Sequence, residues 1–371
     1  MPPPSRITYV LRTFPELTET FVFREIRALL GRGVPVTVLA AGRGSGEALP
    51  GLDVRYLPPA VDLPAPAVWA DLRRLPGLRR KLRALRLAAR ARVAARQVPR
   101  DTAVLHAHFA NDAGALARYV AGLTGLPYRL TAHAYDLYQD PFLLEENLRG
   151  AQHVFTVSEE NLRWLRQRWE ATPVSVLRCG LDLAEHPYRD PAPPGTPPRA
   201  VCVARLIEKK GHDVLLGAAA LLPGVRLDLV GDGPRRREIE TAASRLAPAV
   251  DVRVHGPLSP SATRDLVRGA DVLVLAAKVA RDGDRDGLPV ALIEAAALGV
   301  PLVATAVSGI PELVDAGTGH LVPPDDPPAL AAALRASLEA PEQERVARAR
   351  AARTRVEADY DVNQLVHALL V

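Results

Sequence analysis

Short, continuously apolar runs alternate with helical stretches along the chain, and this alternation restricts the fold more than any other feature. In the first half the runs are ITYVL, VTVLA, AVLHAHF, YRLTAH, HVFTVS and VSVLRCG. Predicted helices separate them, among them Glu19–Leu30, Asp112–Leu123 and Glu159–Trp169. Apolar strands joined through helices indicate a parallel sheet covered on both faces. We therefore predict an α/β fold built from doubly wound sheets.

The alternation stops at a proline-rich segment and then starts again. Glu185–Arg199 contains six prolines, which interrupt both helices and strands, so we predict a linker at 185–198. RAVCVA, VRLDLVG, VDVRVHG, DVLVLAA and PLVATA follow as strands. We predict two Rossmann-like domains that face a cleft, 1–184 and 199–355, and a C-terminal helix at 356–371 as a candidate to cross back to the first domain. Ligands of such sheets bind beyond the carboxyl ends of the strands.

Length and composition favour a packed protein with two domains. The chain has 371 residues, of which 48% are hydrophobic and 24% charged, which is typical of globular proteins. No apolar run reaches the roughly 18 residues that span a bilayer, and the start MPPPSRITYV lacks a signal-peptide pattern. Cys179 and Cys202 have no CxxC spacing, so neither a disulfide nor a metal role is indicated. We expect a cytoplasmic protein.

The charge is concentrated in one segment. Residues 73–100 contain eleven cations and no carboxylate, and interleaved leucines and alanines predict a helix there. A basic amphipathic helix is typical of proteins that lie on an anionic membrane surface or bind a lipid diphosphate. A solvated basic face is the other interpretation, and both stay open. We expect no nucleic-acid partner, because no aromatic platform or recognition motif accompanies the charge.

Two cations follow the first strand of the second half. Arg205 and Lys210, in ARLIEKKGHDVLL, lie in a predicted strand-to-helix loop. Cations at the carboxyl edge of a parallel sheet suit a diphosphate, although solvated loop charges have the same pattern. After the next strand, in VGDGPRRREIE, Gly231 and Gly233 permit a tight turn, and Asp232 is a candidate helix cap.

The most informative segment is DGDRDGLPVALIEAAALGVP. Its predicted helix is apolar except for Glu294, and a carboxylate in such a helix is costly unless it is paired, hydrogen-bonded or functional. Ribose hydroxyls are suitable partners, and the helix start after Gly287 offers N–H groups to a phosphate. The acidic stretch matches the opening of a calcium loop, but Ile293 stands where that loop needs a glutamate. We therefore expect no calcium at this segment.

This segment resembles the E-x7-E element of the family 4 retaining glycosyltransferases, with Asp286 and Glu294 at the acidic positions. The order of the cation pair, the GDGP turn, the acidic element and VSGIPELV is similar to that family's second domain over 199–325. In the first domain RTFPELTETFVFREI, HAHF and HAYDLYQDP resemble its bacterial exopolysaccharide branch, of the colanic-acid type. The first acidic position is usually glutamate, and Asp286 is one methylene shorter, which bears on sugar preference.

The resemblance implies the GT-B fold and a retaining, metal-independent hexosyl transfer without a cofactor. The donor would be a GDP- or UDP-linked nucleotide sugar held by the second domain, and a glycan or lipid-linked glycan acceptor would bind the first. Arg205 and Lys210 would neutralise the leaving diphosphate, while Glu294 holds the ribose. The remaining implied donor contacts are Asp286 for the sugar, main-chain groups of Gly287, Leu288, Pro289 and Val290 for the phosphate, and His255 for the base.

Three histidines and one glutamate of the first half complete the candidate site. His133 matches the family's histidine beside the reacting sugar, where it would donate to a hydroxyl or orient the acceptor. His106 and His108 share one strand face, and we interpret them as packing or acceptor-side residues, with His108 a candidate for the cleft. Glu19 begins a predicted helix, either as its cap or facing the cleft.

Other functions are compatible with the same residues. A metal-dependent hydrolase would use His106, His108 and His133. A nucleotide-sugar epimerase would share the fold and consume donor without an acceptor. A noncatalytic adaptor would use 73–100 to bind a membrane and would have no affinity for nucleotides. If this segment does bind a membrane, the expected location is the inner face of the plasma membrane.

Overall fold

The computed structural model describes residues 5–16, 18–46, 49–59, 63–169 and 173–370. The chain forms two compact units, Met1–Gly180 with Val362–Val371, and Leu181–Asp361. Residues 1–4 and Val371, which the predicted domains include, lie outside the described residues. Among the described helices, none has both the length and the apolar character needed to cross a bilayer.

The first unit contains a seven-stranded parallel sheet. Its strands are β1 (Arg6–Leu11), β2 (Val36–Ala40), β3 (Asp53–Tyr56), β4 (Thr102–His108), β5 (Tyr128–Ala132), β6 (His153–Thr156) and β7 (Val174–Val176). Their order across the sheet is β3-β2-β1-β4-β5-β6-β7. The direction of strand addition reverses between β1 and β4, and this is the point of a doubly wound sheet at which ligands bind.

The helices of this unit bury one face each. They are α1 (Thr20–Gly31), α2 (Val68–Arg74), α3 (Leu78–Gln97), α4 (Asp112–Thr124), α5 (Leu144–Arg149) and α6 (Glu159–Arg166). Helix α3 packs its alanines against α4, because small side chains allow two helices to approach. A short helix at Val362–Leu365 and a 3-10 turn at Val366–Leu369 pack on α1.

The second unit repeats the plan with six parallel strands in the order β10-β9-β8-β11-β12-β13. The strands are β8 (Arg199–Val203), β9 (Arg226–Val230), β10 (Asp251–Gly256), β11 (Val272–Leu275), β12 (Leu302–Thr305) and β13 (His320–Val322). The helices are α7 (His212–Ala219), α8 (Arg236–Ser244), α9 (Pro260–Arg268), α10 (Val290–Leu298), α11 (Pro327–Glu339) and α12 (Glu342–Asp359). Here the order reverses between β8 and β11.

The proline-rich segment interpreted as a linker lies along the second unit. Arg189 N donates to Leu298 O at 3.3 Å, and Gly195 N lies 3.2 Å from the Asp271 carboxylate. Asp190 forms an ion pair with Arg350 at 2.6 Å. Prolines prevent this stretch from pairing as a strand, and groups of the second unit satisfy its polar atoms instead.

The predicted fold class is confirmed, since both units are parallel sheets covered by helices. All eleven predicted strands are present. Two further strands, β3 and β13, were not predicted; they lie at the sheet edges and have four and three residues. Both are too short to form a recognisable apolar run. The helix predicted at Glu159–Trp169 ends at Arg166.

Candidate functional site

In the second unit, the loops after β8 and β11 meet at the carboxyl edge of the sheet. Gly211 has φ +62°, and a Cβ atom there would lie 1.8 Å from the carbonyl oxygen of Ala276, so only glycine permits this approach. Lys278 N also donates to Lys209 O at 2.8 Å. The two loops flank the reversal between β8 and β11, where ligands of such sheets bind.

Lysines of the first loop pair with aspartates of the second. Lys210 Nζ lies 2.7 Å from Asp286 Oδ2, and Lys209 Nζ lies 2.9 Å from Asp284 and 3.6 Å from Asp286. Asp286 is only 8% exposed. Two side chains that the resemblance assigns to different parts of a donor, Lys210 and Asp286, therefore contact each other directly. Lys209 is an additional cation that the sequence analysis did not select.

Arg205 lies at the start of the same loop, with its side chain exposed. Within the described part of the chain, its guanidinium makes no hydrogen bond or ion pair, which leaves its donors available. The turn after β9 packs closely on this loop, since a Cβ atom at Gly231 would lie 2.1 Å from Ala204 O. Asp232 forms part of this turn by accepting from Gly233 N at 2.8 Å; it does not cap α8, whose N-cap residue is Arg235.

Helix α10 begins directly after the acidic loop. Pro289 occupies its N-cap position, no side chain of the described residues caps it, and the helix starts at Val290. Leu288 is buried, and Gly287 O accepts from Gly309 N at 2.9 Å. Glu294 is half-buried, whereas the next four residues are fully buried. The start of α10 therefore presents uncapped N–H groups, as an anion site requires.

His255 is engaged in an ion cluster inside the sheet. Its Nε2 lies 2.5 Å from Asp228, which also accepts from Arg199 at 2.5 Å and from Arg226 at 3.0 Å. Burial raises the pKa of Asp228, but the hydrogen bonds from His255 and the two arginines outweigh burial and lower it. Because one ring nitrogen is already used, the contact of His255 with a base stays a prediction.

In the first unit, Glu25 is the centre of a buried polar cluster. It lies on the inner face of α1 and accepts from Tyr9 Oη at 2.6 Å and from His108 Nε2 at 2.9 Å. His108 Nδ1 is 3.1 Å from His133 Nε2. Burial raises the pKa of Glu25, but the charge and hydrogen bond of His108, with His106 and Tyr9, hold it below the ordinary value. Glu25 is therefore an ionised acceptor.

His106 is the inner histidine of the same strand. Its Nε2 is 3.1 Å from Thr131 Oγ1, and burial lowers its pKa to about 3. Ligand-capable atoms of Glu25, His106 and His108 all lie within 4.8 Å of one another, so among the described residues these three could hold a metal ion. Glu25 and His108 are, however, already joined to each other by a hydrogen bond.

His133 is held through its main chain and through contacts with two aromatic rings. Asp136 accepts from His133 N at 2.8 Å and from Ala110 N at 2.6 Å. The rings of Phe21 and Phe109 lie 4.8 and 4.4 Å from the imidazole. Phe109 has φ 72°, a strained conformation for a bulky residue. Burial, followed by the charges of His108 and His106, keeps the pKa of His133 well below its ordinary value.

Glu19 occupies the N-cap position of α1, but its side chain makes no capping hydrogen bond. The side-chain capping interpretation is therefore wrong. The carboxyl is half-buried and lies within electrostatic range of His108. Burial raises the pKa of Glu19 to about 7; His108 and Arg12 oppose this rise, and Glu16 adds to it.

Glu25 was not predicted as a site residue, although its position in the sequence carries a signal. Val22, Ile26 and Leu29 form the buried face of α1, and Glu25 falls on the same face by helical spacing. The same kind of signal, a carboxylate among apolar helix residues, led to the selection of Glu294. Tyr9 and Asp136 offered no comparable pattern.

Helix α3 contains most of the basic segment 73–100. Arg83 is bound to Asp140 at 2.6 Å, so it belongs to the packing of the unit. Leu78 and Leu82, one turn apart, are 72% and 40% exposed. Exposed arginines surround them, namely Arg79, Arg80 and Arg86. We call these five residues the basic face of α3.

Two doubly wound sheets, the second with cations and an uncapped helix start at its switch point, define a two-domain protein of the GT-B class. Solved structures share this fold. Sucrose-phosphate synthase from Thermosynechococcus elongatus matches with a TM-score of 0.76 at 20% identity, covering 98% of this chain and 97% of that one. Anabaena HepE in complex with UDP and glucose matches with a TM-score of 0.73 at 17% identity, covering 99% and 98%.

Two family descriptions match consecutive parts of the chain, Glycosyltransferase Family 4 over residues 18–185 and Glycosyl transferases group 1 over residues 188–355. The two matches together cover most of the chain, which therefore belongs to glycosyltransferase family 4.

Named relatives come from bacterial polysaccharide synthesis. The putative colanic acid biosynthesis glycosyltransferase WcaL of Salmonella typhimurium is 40% identical over 43% of this chain and 41% of its own length. The Escherichia coli WcaL is 37% identical over 53% and 50%. The matches thus span half or less of these two proteins. The amylovoran biosynthesis glycosyltransferase AmsK of Erwinia amylovora is 27% identical over 96% of both chains.

Proposed function

We propose that this chain is a retaining, metal-independent glycosyltransferase that moves a hexose from a nucleotide-diphosphate sugar to a glycan or lipid-linked glycan. Its pathway would be the synthesis of an exopolysaccharide or another cell-surface glycan, as the names of WcaL and AmsK suggest. One observation carries the proposal. Arg205, Lys209 and Lys210 share a loop at the switch point of the second sheet, and Lys209 and Lys210 pair there with the acidic loop that leads into α10.

The leaving group is the main difficulty of glycosyl transfer, because negative charge develops on a diphosphate. The exposed guanidinium of Arg205 and the ammonium of Lys210 would stabilise that charge, together with main-chain N–H groups at the start of α10. These groups do the work that a metal ion does in other transferases. Glu294 would accept hydrogen bonds from the ribose, and Asp286 would contact the transferred sugar.

A front-face route suits these residues. No glutamate of the candidate site is assigned as a covalent nucleophile, so the donor phosphate would accept the proton of the acceptor hydroxyl. His133, neutral because burial and then the charges of neighbouring histidines lower its pKa, would bind a sugar hydroxyl without adding charge.

Both GDP- and UDP-linked donors remain candidates. HepE is similar to this chain in fold and was solved with UDP and with UDP-glucose. A GDP-mannose-dependent mannosyltransferase of Corynebacterium glutamicum is 33% identical over 44% of this chain. Guanine and uracil are therefore both candidate bases of the donor, and mannose, glucose and galactose are the candidate sugars.

We also propose that the basic face of α3 rests on an anionic membrane, which would bring the enzyme to a lipid-linked acceptor at the inner face of the plasma membrane. Exposed leucines beside arginines support this arrangement, because leucines enter the interface while arginines meet anionic headgroups. Trp69, 57% exposed on α2, adds an aromatic side chain of the kind enriched at such interfaces.

A donor screen tests the function. The protein would be incubated with each nucleotide diphosphate and its sugars, and thermal unfolding would report selective binding. Radiolabelled transfer to membrane lipid extracts would then report activity, in buffer with and without EDTA. Consumption of donor without an acceptor would indicate an epimerase or hydrolase. Stoichiometric zinc with loss of activity in EDTA would favour the hydrolase, with the metal held by Glu25, His106 and His108 instead of the predicted His106, His108 and His133.

A further inference from the structure

A continuous chain of hydrogen bonds in the first unit ends at His133. Tyr9 Oη lies 2.6 Å from Glu25 Oε1, the same oxygen lies 2.9 Å from His108 Nε2, and His108 Nδ1 lies 3.1 Å from His133 Nε2. The four side chains come from β1, α1, the end of β4 and the residue after β5. Within the described residues, Nδ1 of His133 has no hydrogen-bond partner.

The order of donors and acceptors along this chain is restricted. An ionised carboxylate can only accept, so His108 must carry a proton on Nε2. When each ring carries one proton, His108 offers a lone pair at Nδ1, and His133 donates to it from Nε2. Nδ1 of His133 is then left unprotonated and can only accept. A His108 with protons on both nitrogens would instead donate from Nδ1 and place the proton of His133 on Nδ1, and the spectrum described below distinguishes the two arrangements.

The last side chain of this hydrogen-bonded chain is His133. Both ring nitrogens of His108 are engaged, one with Glu25 and one with His133, so His108 has no nitrogen left for a substrate. Glu25 lies one residue further in, and its influence on a substrate at His133 passes through His108.

We propose that Glu25 and His108 are positioning residues that set the tautomer of His133, so that its Nδ1 accepts a hydrogen bond from a substrate hydroxyl. The inference rests on the proposed function in one respect, that the group meeting His133 belongs to a sugar. An accepting Nδ1 makes the site specific for a hydroxyl group, because a hydroxyl can donate to Nδ1, whereas a fluorine or an ether oxygen at the same position cannot.

The tautomer can be read without any substrate. Long-range ¹⁵N–¹H spectra of the full-length protein distinguish protonated from unprotonated imidazole nitrogens, and the spectrum of a His133→Asn variant assigns the signals. We expect His133 with its proton on Nε2 at pH 8. A proton on Nδ1 of His133 in the wild-type protein overturns the proposal.

Kinetics test whether Glu25 acts through His133. Glu25→Gln keeps the size of the side chain, but its amide can donate to His108 Nε2 and reverse both tautomers. We expect kcat to fall about 10- to 100-fold with the KM for donor within about threefold, as for a lost general acid–base or orienting contact. In a His133→Ala background the same change should cost less than about twofold. If the losses of kcat caused by Glu25→Gln and His133→Ala multiply in the double variant, Glu25 acts independently of His133 and has only a structural role.

A structural control is available on β1. Thr8 Oγ1 shares a buried hydrogen bond of 2.8 Å with Thr102 Oγ1, and Thr8→Val should lower Tm while leaving kcat unchanged. If Glu25→Gln fails to fold, His108→Asn cuts the same link, and the wild-type spectrum still decides the tautomer.

Deoxyfluoro analogues of the donor sugar and of the acceptor provide the last readout. At one sugar position, replacing hydroxyl by fluorine should lower kcat/KM strongly in the wild type and little in His133→Ala. Equal tolerance at every position would contradict an accepting His133. Absence of transfer from every nucleotide sugar would refute the proposed function, and the tautomer spectrum would remain valid evidence on the hydrogen-bonded chain.

Discussion

Lys210 Nζ lies 2.7 Å from Asp286 Oδ2, and this ion pair joins the loop after β8 to the loop after β11. The carboxylate holds the ammonium at the switch point of the sheet. In the proposed function, a diphosphate would share Lys210 with Asp286, so the cation would not have to be ordered when the donor binds. Preorganised charge of this kind is what makes electrostatic stabilisation effective.

Removing either donor cation should reduce transfer sharply. We expect Arg205→Ala and Lys210→Ala each to lower kcat by about 100-fold, on the scale of a lost preorganised electrostatic contact. Initial rates with saturating donor measure this, and Arg237→Ala is the matched control, because Arg237 is an exposed arginine of the same unit on α8. Near-normal turnover of both variants would remove the diphosphate assignment.

The length of the residue at position 286 should influence the sugar that is transferred. Asp286→Glu keeps the charge that pairs with Lys210 and adds one methylene, so the carboxylate reaches a different hydroxyl. We expect the ratio of kcat/KM values among GDP-mannose, UDP-glucose and UDP-galactose to change by about tenfold or more, the scale of one altered polar contact. Asp286→Asn, which loses the ion pair, should lower turnover for all donors. An unchanged ratio in the glutamate variant would argue against a sugar contact.

Glu19 should make the protein more stable in acid than in base. Burial raises its folded-state pKa from 4.5 to about 7, so the stability present below pH 4.5 is lost as pH rises toward 7. Glu19→Gln should match the wild type at pH 4 and exceed it at pH 8, by at most about 3 kcal/mol. Thermal unfolding across this range measures the difference. Glu145→Gln, on an exposed helix position, should show no such gain, and a pH-independent effect of Glu19→Gln would contradict the burial argument.

The basic face of α3 should bind anionic vesicles. Leu78→Ser with Leu82→Ser should weaken sedimentation with anionic vesicles by about tenfold, since each leucine loses roughly 1.5–3 kcal/mol of apolar transfer when fully buried and less at an interface. Leu221→Ser with Leu258→Ser is the matched control, because these leucines are 47% and 36% exposed in the second unit. Equal binding by both double variants would indicate that the face is merely solvated.

Two glycines with positive φ should differ in their tolerance of alanine. Gly224→Ala faces open space at φ +85° and should cost about 1–2 kcal/mol of backbone strain. Gly211→Ala adds a clash with Ala276 O, so we expect a larger loss of stability together with loss of donor binding. Denaturant unfolding and nucleotide titration measure both quantities. Similar costs for the two variants would show that the loops after β8 and β11 can separate freely.

The sequence by itself predicted the fold class and selected Arg205, Lys210, Asp286 and Glu294 in the second unit, but it did not indicate Lys209 or the edge strands β3 and β13. Short apolar runs that alternate with helical stretches are typical of buried parallel strands joined by crossover helices, so the alternation predicted both sheets. Glu294 was selected because a carboxylate in an otherwise apolar helix is costly unless it is paired, hydrogen-bonded or functional. These are local signals, carried by residues close together in the chain.

Only the tertiary structure decided which side chains meet. Glu25 and His108 are 83 positions apart, and Lys209 and Asp284 are 75 apart, so no local pattern links them. The tautomer of His133 and the burial of Glu19 depend on distances and on exclusion of water, which arise only when the strands and helices pack. Periodicity shows which face of an element is buried, and packing determines which polar groups are buried together.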